Sequence, residues 1–213
     1  EKRKNMSNKI YPIGIQNFEK IRRTGYFYVD KTALVYQLAK TGSYYFLSRP
    51  RRFGKSLLIS TFEAYFQGKK ELFKGLAIEK LEKDWFEYPV LHLDLNARNY
   101  ENKDSLKEEL NKHLEVWERT YNSPYADRAP EERFYHVIRF ACEQTGQRVV
   151  ILVDEYDKPM LQAIGNHELQ DEYRKTLKPF YGVLKTMDGC IKFALLTGVT
   201  KFGKVSVFSD LNN

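Results

Sequence analysis

The hydrophobic pattern of the chain contains four short apolar runs that are separated by longer amphipathic segments. These runs are the predicted strands, at residues 44–47, 90–95, 149–153 and 191–198. Residues 149–153 contain no polar position and are mostly β-branched. Such a run is typical of a strand that is buried on both faces in the middle of a parallel sheet.

Apolar residues recur at helical spacing between the runs. Helices are predicted at residues 32–40, 57–66, 105–117 and 131–144, and a fifth through Tyr173, Leu177 and Leu184 that Pro179 would kink or interrupt. Residues 11–30 are predicted to be irregular, and residues 70–88 to form a charged helix–loop insertion. Because strands alternate with helices, the pattern predicts an α/β protein with a mostly parallel sheet.

The loop after the first strand, residues 49–56, reads Arg-Pro-Arg-Arg-Phe-Gly-Lys-Ser. A strand, a short loop, Gly-Lys-Ser and a helix follow one another in the order that a phosphate-binding loop requires. Gly54 lets the backbone approach a phosphate, and the helix start offers free amide groups. Lys55 can reach the β- and γ-phosphates, and Ser56 can bind Mg²⁺. We therefore predict a nucleoside triphosphate site that is formed by Arg51, Arg52, Phe53, Gly54, Lys55, Ser56 and Leu57.

This loop departs from the usual phosphate-binding pattern at one position. A glycine normally stands five residues before the second glycine, and Arg49 occupies that place here. Gly-Lys-Ser alone is a weak signal, and the alternative interpretation is a basic turn at a helix start. A second, independent motif is needed.

The second motif is the acidic pair Asp154 and Glu155, directly after the apolar run 149–153. In open α/β sheets, ligands bind at the carboxyl ends of the strands, so these acids are expected to face the same crevice as Lys55. Asp154 would hold Mg²⁺ through water, and Glu155 would orient or deprotonate the attacking water. The alternative is an acidic turn after a core strand.

A hydroxyl residue ends the last predicted strand. Thr197 is the candidate for a side chain that senses the γ-phosphate or positions water, although threonine is also common at strand ends for turn reasons. Thr200 and Lys201 lie just beyond and are weaker candidates.

The net charge of +7 is concentrated in one part of the chain, because residues 1–52 carry +9 and the remainder carries −2. Part of this basic charge suits a triphosphate. The rest could meet an acidic partner or nucleic acid, or form a solvated surface. The residues in question are Lys2, Arg3, Lys4, Lys9, Lys20, Arg22 and Arg23.

Several function classes lack support in the composition. No apolar run approaches the ~20 residues of a membrane span, and no secretory signal is visible. The spacing of Cys142, Cys190 and the four histidines matches no zinc site. We therefore expect a cytoplasmic protein without a membrane partner.

The same reasoning gives a domain division. Residues 1–30 are predicted to be an N-terminal arm followed by an irregular basic and aromatic segment, and residues 31–213 a P-loop ATPase core. Since such ATPases usually continue with another strand and a helical lid, the sequence is expected to stop before the lid and any C-terminal effector domain.

Through these motifs the chain resembles the bacterial AAA-ATPase-like family over nearly its whole length. The resemblance rests on Tyr-Pro-Ile-Gly-Ile at 11–15 with Asn17 and Phe18, Tyr-Val-Asp-Lys-Thr at 28–32, the loop 49–56, Val-Asp-Glu-Tyr-Asp-Lys-Pro at 153–159 and Leu-Thr-Gly-Val-Thr-Lys at 196–201. The Arg-Pro-Arg-Arg form of the loop is specific to this family, so Arg49 counts less against nucleotide binding.

The resemblance implies a P-loop NTPase three-layer sandwich of the additional-strand (AAA/STAND-like) type that uses ATP and Mg²⁺. It assigns phosphate binding to residues 54–56, the metal to Ser56 and Asp154, and catalysis to Glu155. Full-length members often carry a C-terminal domain of the PD-(D/E)xK nuclease superfamily. No such domain lies in these residues, so nuclease activity is not expected of this chain.

Two functions remain open at this point. The first is an ATPase that drives or gates a C-terminal effector or acts as a homo-oligomer. The second is a nucleotide-gated interaction module that binds ATP with little or no hydrolysis. A P-loop kinase is a poorer third option, because Glu155 follows the metal aspartate and no acceptor site is evident. Ile13, Ile15 and Phe18 are candidates for a wall against adenine, or else pack under the sheet.

Overall fold

The computed structural model describes residues 9–200. Within them, four strands form one sheet, and their bounds confirm the four predicted runs: β1 (Tyr44–Ser48), β2 (Val90–Asp94), β3 (Val149–Asp154) and β4 (Ile191–Gly198). All neighbouring strands are parallel, and their order across the sheet is β1–β4–β3–β2. Of these four described strands, the last, β4, therefore lies between the strand before the 49–56 loop and the strand before the acidic pair.

Helices cover both faces of the sheet, which makes a three-layer sandwich. One face carries α1 (Phe18–Thr24), α2 (Thr32–Thr41), α3 (Lys55–Phe66), a 3₁₀ turn (Lys70–Phe73) and α4 (Ile78–Leu81). The other face carries α5 (Ser105–Tyr121), α6 (Pro130–Thr145) and α8 (His167–Thr186), with the short α7 (Lys158–Gln162) and a 3₁₀ turn (Asp188–Cys190) at its ends. A mostly parallel α/β sandwich is thus confirmed.

Strand β3 explains why the apolar run has no polar position. Val150 and Leu152 point into the core under α3, whereas Val149, Ile151 and Val153 point into the core under α5, α6 and α8. Since every residue of β3 is buried, both faces must be apolar up to the carboxyl end, where the first acid appears. The burial of the central strand fixes the position of the acidic pair.

The prediction that residues 11–30 are irregular is wrong for α1. Asn17 caps this helix with its side-chain oxygen, and Gly25 ends it with a φ of 73°. Phe18 and Ile21 are fully buried in the same core as α2 and α3. The cap, the three-residue apolar spacing and the glycine were the sequence signals for this helix.

Pro179 does not interrupt the helix in which it lies. Helix α8 is continuous from His167 to Thr186, and the exposed Pro179 faces away from the core. The segment 70–88 contains the expected short helical pieces and loops. Among the described residues, no helix combines the length and apolar composition needed to cross a lipid bilayer.

Candidate functional site

The loop between β1 and α3 has the backbone conformation of a tight turn that leads directly into a helix. Helix α3 begins at Lys55, and Gly54 stands just before it with a φ of 74°. A Cβ at Gly54 would meet nothing within 4 Å, so backbone conformation rather than space favours glycine at this position. The first-turn amides of α3 have no acceptors within the helix and are available to an anion.

Lys55 is the buried cation of this loop and is only 4% exposed. Its Nζ donates a hydrogen bond to the carbonyl oxygen of Arg49 at 2.7 Å. The same nitrogen lies 3.4 Å from Oε1 of Glu155. The structure therefore brings together two side chains that are a hundred positions apart in the sequence, as expected from their places at the carboxyl ends of β1 and β3.

Asp154 connects the phosphate-type loop, which comprises residues 49–56, to β4. Its Oδ2 accepts a hydrogen bond from the Ser56 hydroxyl at 2.6 Å, and its Oδ1 accepts one from the Thr197 hydroxyl at 2.8 Å. Asp154 and Thr197 are both buried. A serine from α3, an aspartate from β3 and a threonine from β4 therefore form one hydrogen-bonded chain, and this geometry holds the aspartate in a single orientation.

Glu155 has an unusual backbone, since its φ is 56° in the left-handed region. For a residue with a Cβ this conformation costs of order 1–3 kcal/mol, and it is concentrated at functional sites. Its amide lies 3.4 Å from the Thr197 hydroxyl oxygen, and the next amide, of Tyr156, donates to the Thr197 carbonyl at 2.9 Å. Burial raises the pKa of Glu155 above its ordinary value, although the nearby Lys55 lowers it.

A cavity of about 310 Å³ opens in front of these groups, and its charge is predominantly positive. Four basic side chains line it, and the lining carboxylate is Glu155. The basic residues are Arg51, Arg52, Lys55 and Lys158. The lining also includes Gly54 and Ser56. Such a cavity is suited to a polyanion.

Two predicted contact residues do not line this cavity. The Phe53 side chain is 64% exposed, and Leu57 packs partly against the core under α3. Neither side chain is therefore part of the cavity wall. Of the weaker candidates, Thr200 binds Asp157, and Lys201 lies outside the described residues, as do Lys2, Arg3 and Lys4.

Four residues with side-chain amides line the cavity and were not predicted as site residues: Gln16, Asn96, Asn99 and Gln162. Asn96 and Asn99 follow β2, so the rule that ligands bind at the carboxyl ends of parallel strands could have found them. Lys158 was also missed as a lining residue. Its Nζ donates to the Asn96 carbonyl oxygen at 2.6 Å, which ties the start of α7 to the loop after β2.

The proposed adenine wall needs a correction. Phe18 is fully buried and its ring packs 4.8 Å from Phe73 and 5.1 Å from Tyr28, so it cannot touch a ligand. Ile13 is 93% exposed and Ile15 is partly exposed. Phe18 therefore belongs to the core, as its place in α1 requires.

Larger grooves lie elsewhere on the molecule. One of about 590 Å³ runs between α6 and α8, and another of about 850 Å³ lies at the amino ends of β2 and β3. Neither adjoins the group formed by Lys55, Ser56, Asp154 and Glu155. We therefore assign the functional site by its chemistry rather than by volume.

Comparison with known proteins shows the family of the chain. A family model for predicted AAA-ATPases matches residues 12–208. The chain is also 43% identical, over 210 residues, to an uncharacterized protein in the vnfD 5' region of Azotobacter chroococcum mcd 1. That alignment covers 98% of this chain but only 40% of the relative. No solved structure matches the chain significantly. The chain belongs to the family of predicted AAA-ATPases.

Proposed function

We propose that this domain binds ATP with Mg²⁺ and hydrolyses it slowly, and that it gates an effector through the nucleotide state. The observation that carries the proposal is the convergence of Lys55 and Glu155, 3.4 Å apart, at the edge of a positively charged cavity. Binding alone would not need a carboxylate at this place, since catalysis of phosphoryl transfer to water uses a group that orients or deprotonates the water.

The residues would act as follows. Lys55, which donates to the Arg49 carbonyl, would turn toward the β- and γ-phosphates. This movement would separate Lys55 from Glu155 and leave the carboxylate to accept a proton from water. The raised pKa of Glu155 brings it closer to the range in which a general base works best. Thr197 would hold Asp154 in place.

The donor set fits Mg²⁺ rather than a metal held entirely by protein. Ser56 and Asp154 offer hard oxygen ligands 2.6 Å apart. Among residues 9–200, no group of three or more His, Cys, Asp or Glu side chains could hold a metal ion by itself. Mg²⁺ characteristically takes one or two protein ligands and completes its shell with phosphates and water. When bound, it would neutralise charge on the phosphate oxygens.

The position of β4 supports the additional-strand (AAA/STAND-like) type, because β4 is inserted between the strands that carry the phosphate-type loop and the acidic pair. The cavity amides of Gln16, Asn96 and Asn99 are suited to a ribose or a base. The chain spans about two fifths of its relative's length, which leaves room there for an effector.

We place the domain in the cytoplasm because both cysteines are free thiols. A homo-oligomer would serve the same gating role.

One observation favours the alternative of a binding module that barely hydrolyses ATP. The Glu155 side chain is held by its contact with Lys55, and its left-handed backbone restricts its conformation further. Among the described residues, the arginines that line the cavity are Arg51 and Arg52, both on the phosphate-type loop. An arginine finger contributes about 10³–10⁵ in rate to related enzymes, so turnover without a partner would be slow.

Calorimetry with Mg·ATP and phosphate release would test the proposal on the wild type, Lys55→Ala and Glu155→Gln. We expect Lys55→Ala to lose binding, and Glu155→Gln to bind normally while phosphate release falls by about 10²–10⁴. Lys107→Ala, on the exposed face of α5, is the matched control. No heat with folded wild type would rule out nucleotide binding. Equal phosphate release by wild type and Glu155→Gln would leave the binding module. Competition between ATP and GTP would identify the base.

A further inference from the structure

Asp157 is a buried carboxylate to which the proposed function assigns no role. Its side chain is completely shielded from solvent, three residues after Asp154. Oδ2 accepts hydrogen bonds from the Val199 amide at 3.0 Å, the Thr200 amide at 2.7 Å and the Thr200 hydroxyl at 2.6 Å. Among the described residues no ion pair compensates this carboxylate. Its burial is therefore supported by three donors from one short segment.

A local role in helix capping does not explain this arrangement. Asp157 stands at the N-cap position of α7, but its side chain makes no capping hydrogen bond to that helix. Oδ1 is buried and has no hydrogen-bond partner among the described residues. The carboxylate is thus directed at the chain after β4 rather than at its own helix.

The segment after β4 fits closely against this carboxylate. A Cβ added at Gly198 would lie 2.7 Å from Asp157 Oδ1 and 2.5 Å from a ring carbon of Tyr156. The Tyr156 hydroxyl donates to the Thr200 carbonyl at 2.9 Å. Glycine at 198 therefore permits a contact that any side chain would prevent.

The same segment also touches the candidate site on its other side. The Arg49 amide donates to the Gly198 carbonyl at 3.1 Å, and the Ser48 hydroxyl donates to the Val199 carbonyl at 3.1 Å. Thr197, one residue earlier, binds Asp154. Residues 197–200 thus connect the phosphate-type loop, the acidic pair and the chain beyond position 200.

We propose that Asp157 is a positioning residue that latches residues 197–200, and so fixes the Thr197 hydroxyl against Asp154. This inference rests on the proposed function for its effect on turnover, but the latch itself is a property of the folded domain. Thr200 supplies the matching hydroxyl.

Amide hydrogen exchange tests the latch without nucleotide. In Asp157→Asn we expect exchange at Val199 and Thr200 to rise at least about tenfold, since hydrogen bonds to a charged group are among the stronger ones. Amides of α3 should stay protected. Asp171→Asn, an exposed aspartate on α8, is the matched control. Thr200→Val should raise exchange less, and Thr200→Ser should match the wild type because it keeps the hydroxyl. Unchanged exchange in both Asp157→Asn and Thr200→Val would overturn the latch.

Steady-state phosphate release separates positioning from simple stability. We expect Asp157→Asn to lower kcat about tenfold or more with less than about a threefold change in KM, since the phosphate-type loop is intact. Raised exchange with unchanged kcat would overturn the positioning role. If the wild type does not hydrolyse ATP, the proposed function fails and the exchange result alone decides the latch. If Asp157→Asn does not fold, the two Thr200 variants decide it.

Discussion

Two ion pairs in this domain, one buried and one partly buried, differ in how completely their charges are satisfied. Arg133 of α6 and Glu118 of α5 are each 6% exposed at the side chain. The Nε of Arg133 donates to both carboxylate oxygens of Glu118 at 3.2 Å, and Nη2 also donates to Oε1 of Glu118. The remaining nitrogen, Nη1, donates to Asn111 Oδ1 at 2.7 Å. Lys55 and Glu155 make one contact at 3.4 Å beside the 310 Å³ cavity.

This difference separates a charge that holds the fold from one that is available to a ligand. The planar guanidinium of Arg133 matches the carboxylate geometry, and its donors are engaged by Glu118 and Asn111. The pair therefore holds α5 against α6 and is not available to a ligand. Lys55 donates to a main-chain carbonyl and only approaches Glu155, so an incoming phosphate can replace both contacts. The incomplete pair is the one that faces a cavity.

The largest effect should follow from breaking the closed pair, which is the fully hydrogen-bonded pair of Arg133 and Glu118. Arg133→Met leaves the Glu118 carboxylate buried without its partner, which should cost about 3–5 kcal/mol of unfolding free energy in urea denaturation. The double variant Arg133→Met/Glu118→Leu should recover most of that loss, because two apolar groups can replace a buried pair. Nucleotide affinity of the folded fraction should stay at the wild-type level. A full loss in the double variant would contradict this account.

The two pairs also differ in how far the sequence predicts them. Lys55 and Glu155 were expected to meet, because each follows an apolar strand and the carboxyl ends of parallel strands share one edge. Arg133 was not singled out, since the apolar stripe of α6 predicts that charged neighbours are solvated. Its burial depends on where α5 packs, and a one-helix pattern carries no information on that.

The same limit applies to the edges of the site. Gly54, Lys55, Ser56, Asp154 and Glu155 belong to contiguous motifs, so their conformation and order are local properties. The opposite wall of the cavity is formed by residues such as Asn96, Asn99 and Gln162. Their positions depend on how the loop after β2 packs against α7. The position of β4 between β1 and β3 does not follow from periodicity, because an apolar run predicts a strand but not its neighbours.

Replacing Asp154 tests the metal position beside Lys55 and Glu155. Asp154→Asn keeps the size of the side chain but removes its negative charge. It also weakens the hydrogen bonds that the side chain accepts from the Ser56 and Thr197 hydroxyls. We expect the Mg²⁺ dependence of ATP binding to shift about 10–100-fold toward higher Mg²⁺, measured by titration calorimetry. Binding of ATP in excess EDTA should change little, which is the internal control. An equal loss with and without Mg²⁺ would assign Asp154 to folding instead.

A smaller effect is expected from Thr197→Val, which removes the hydroxyl that donates to Asp154 at 2.8 Å. The lost hydrogen bond should lower phosphate release about 5–10-fold and destabilise the fold by about 1 kcal/mol. Thr197→Ser should restore both quantities. If valine and serine behaved alike, the hydroxyl would have no part in turnover.

The smallest effect concerns how Glu155 links stability to pH. Burial raises the pKa of Glu155 in the folded domain, so between its ordinary and its raised value the folded state retains a proton that the unfolded chain has lost. Folding stability from this group is therefore greatest at low pH and is lost as pH rises through that window. Glu155→Gln removes the titration and should be at least as stable as the wild type at neutral pH.

The measurement is the difference in unfolding free energy between wild type and Glu155→Gln across about pH 4 to 8, where carboxylates shared by both chains cancel. We expect the variant to gain on the wild type as pH rises. The opposite slope would mean that attraction to Lys55 outweighs burial. Lys55 and Glu155 would then stabilise the fold in the same sense as Arg133 and Glu118, and the distinction between a closed and an open pair would disappear.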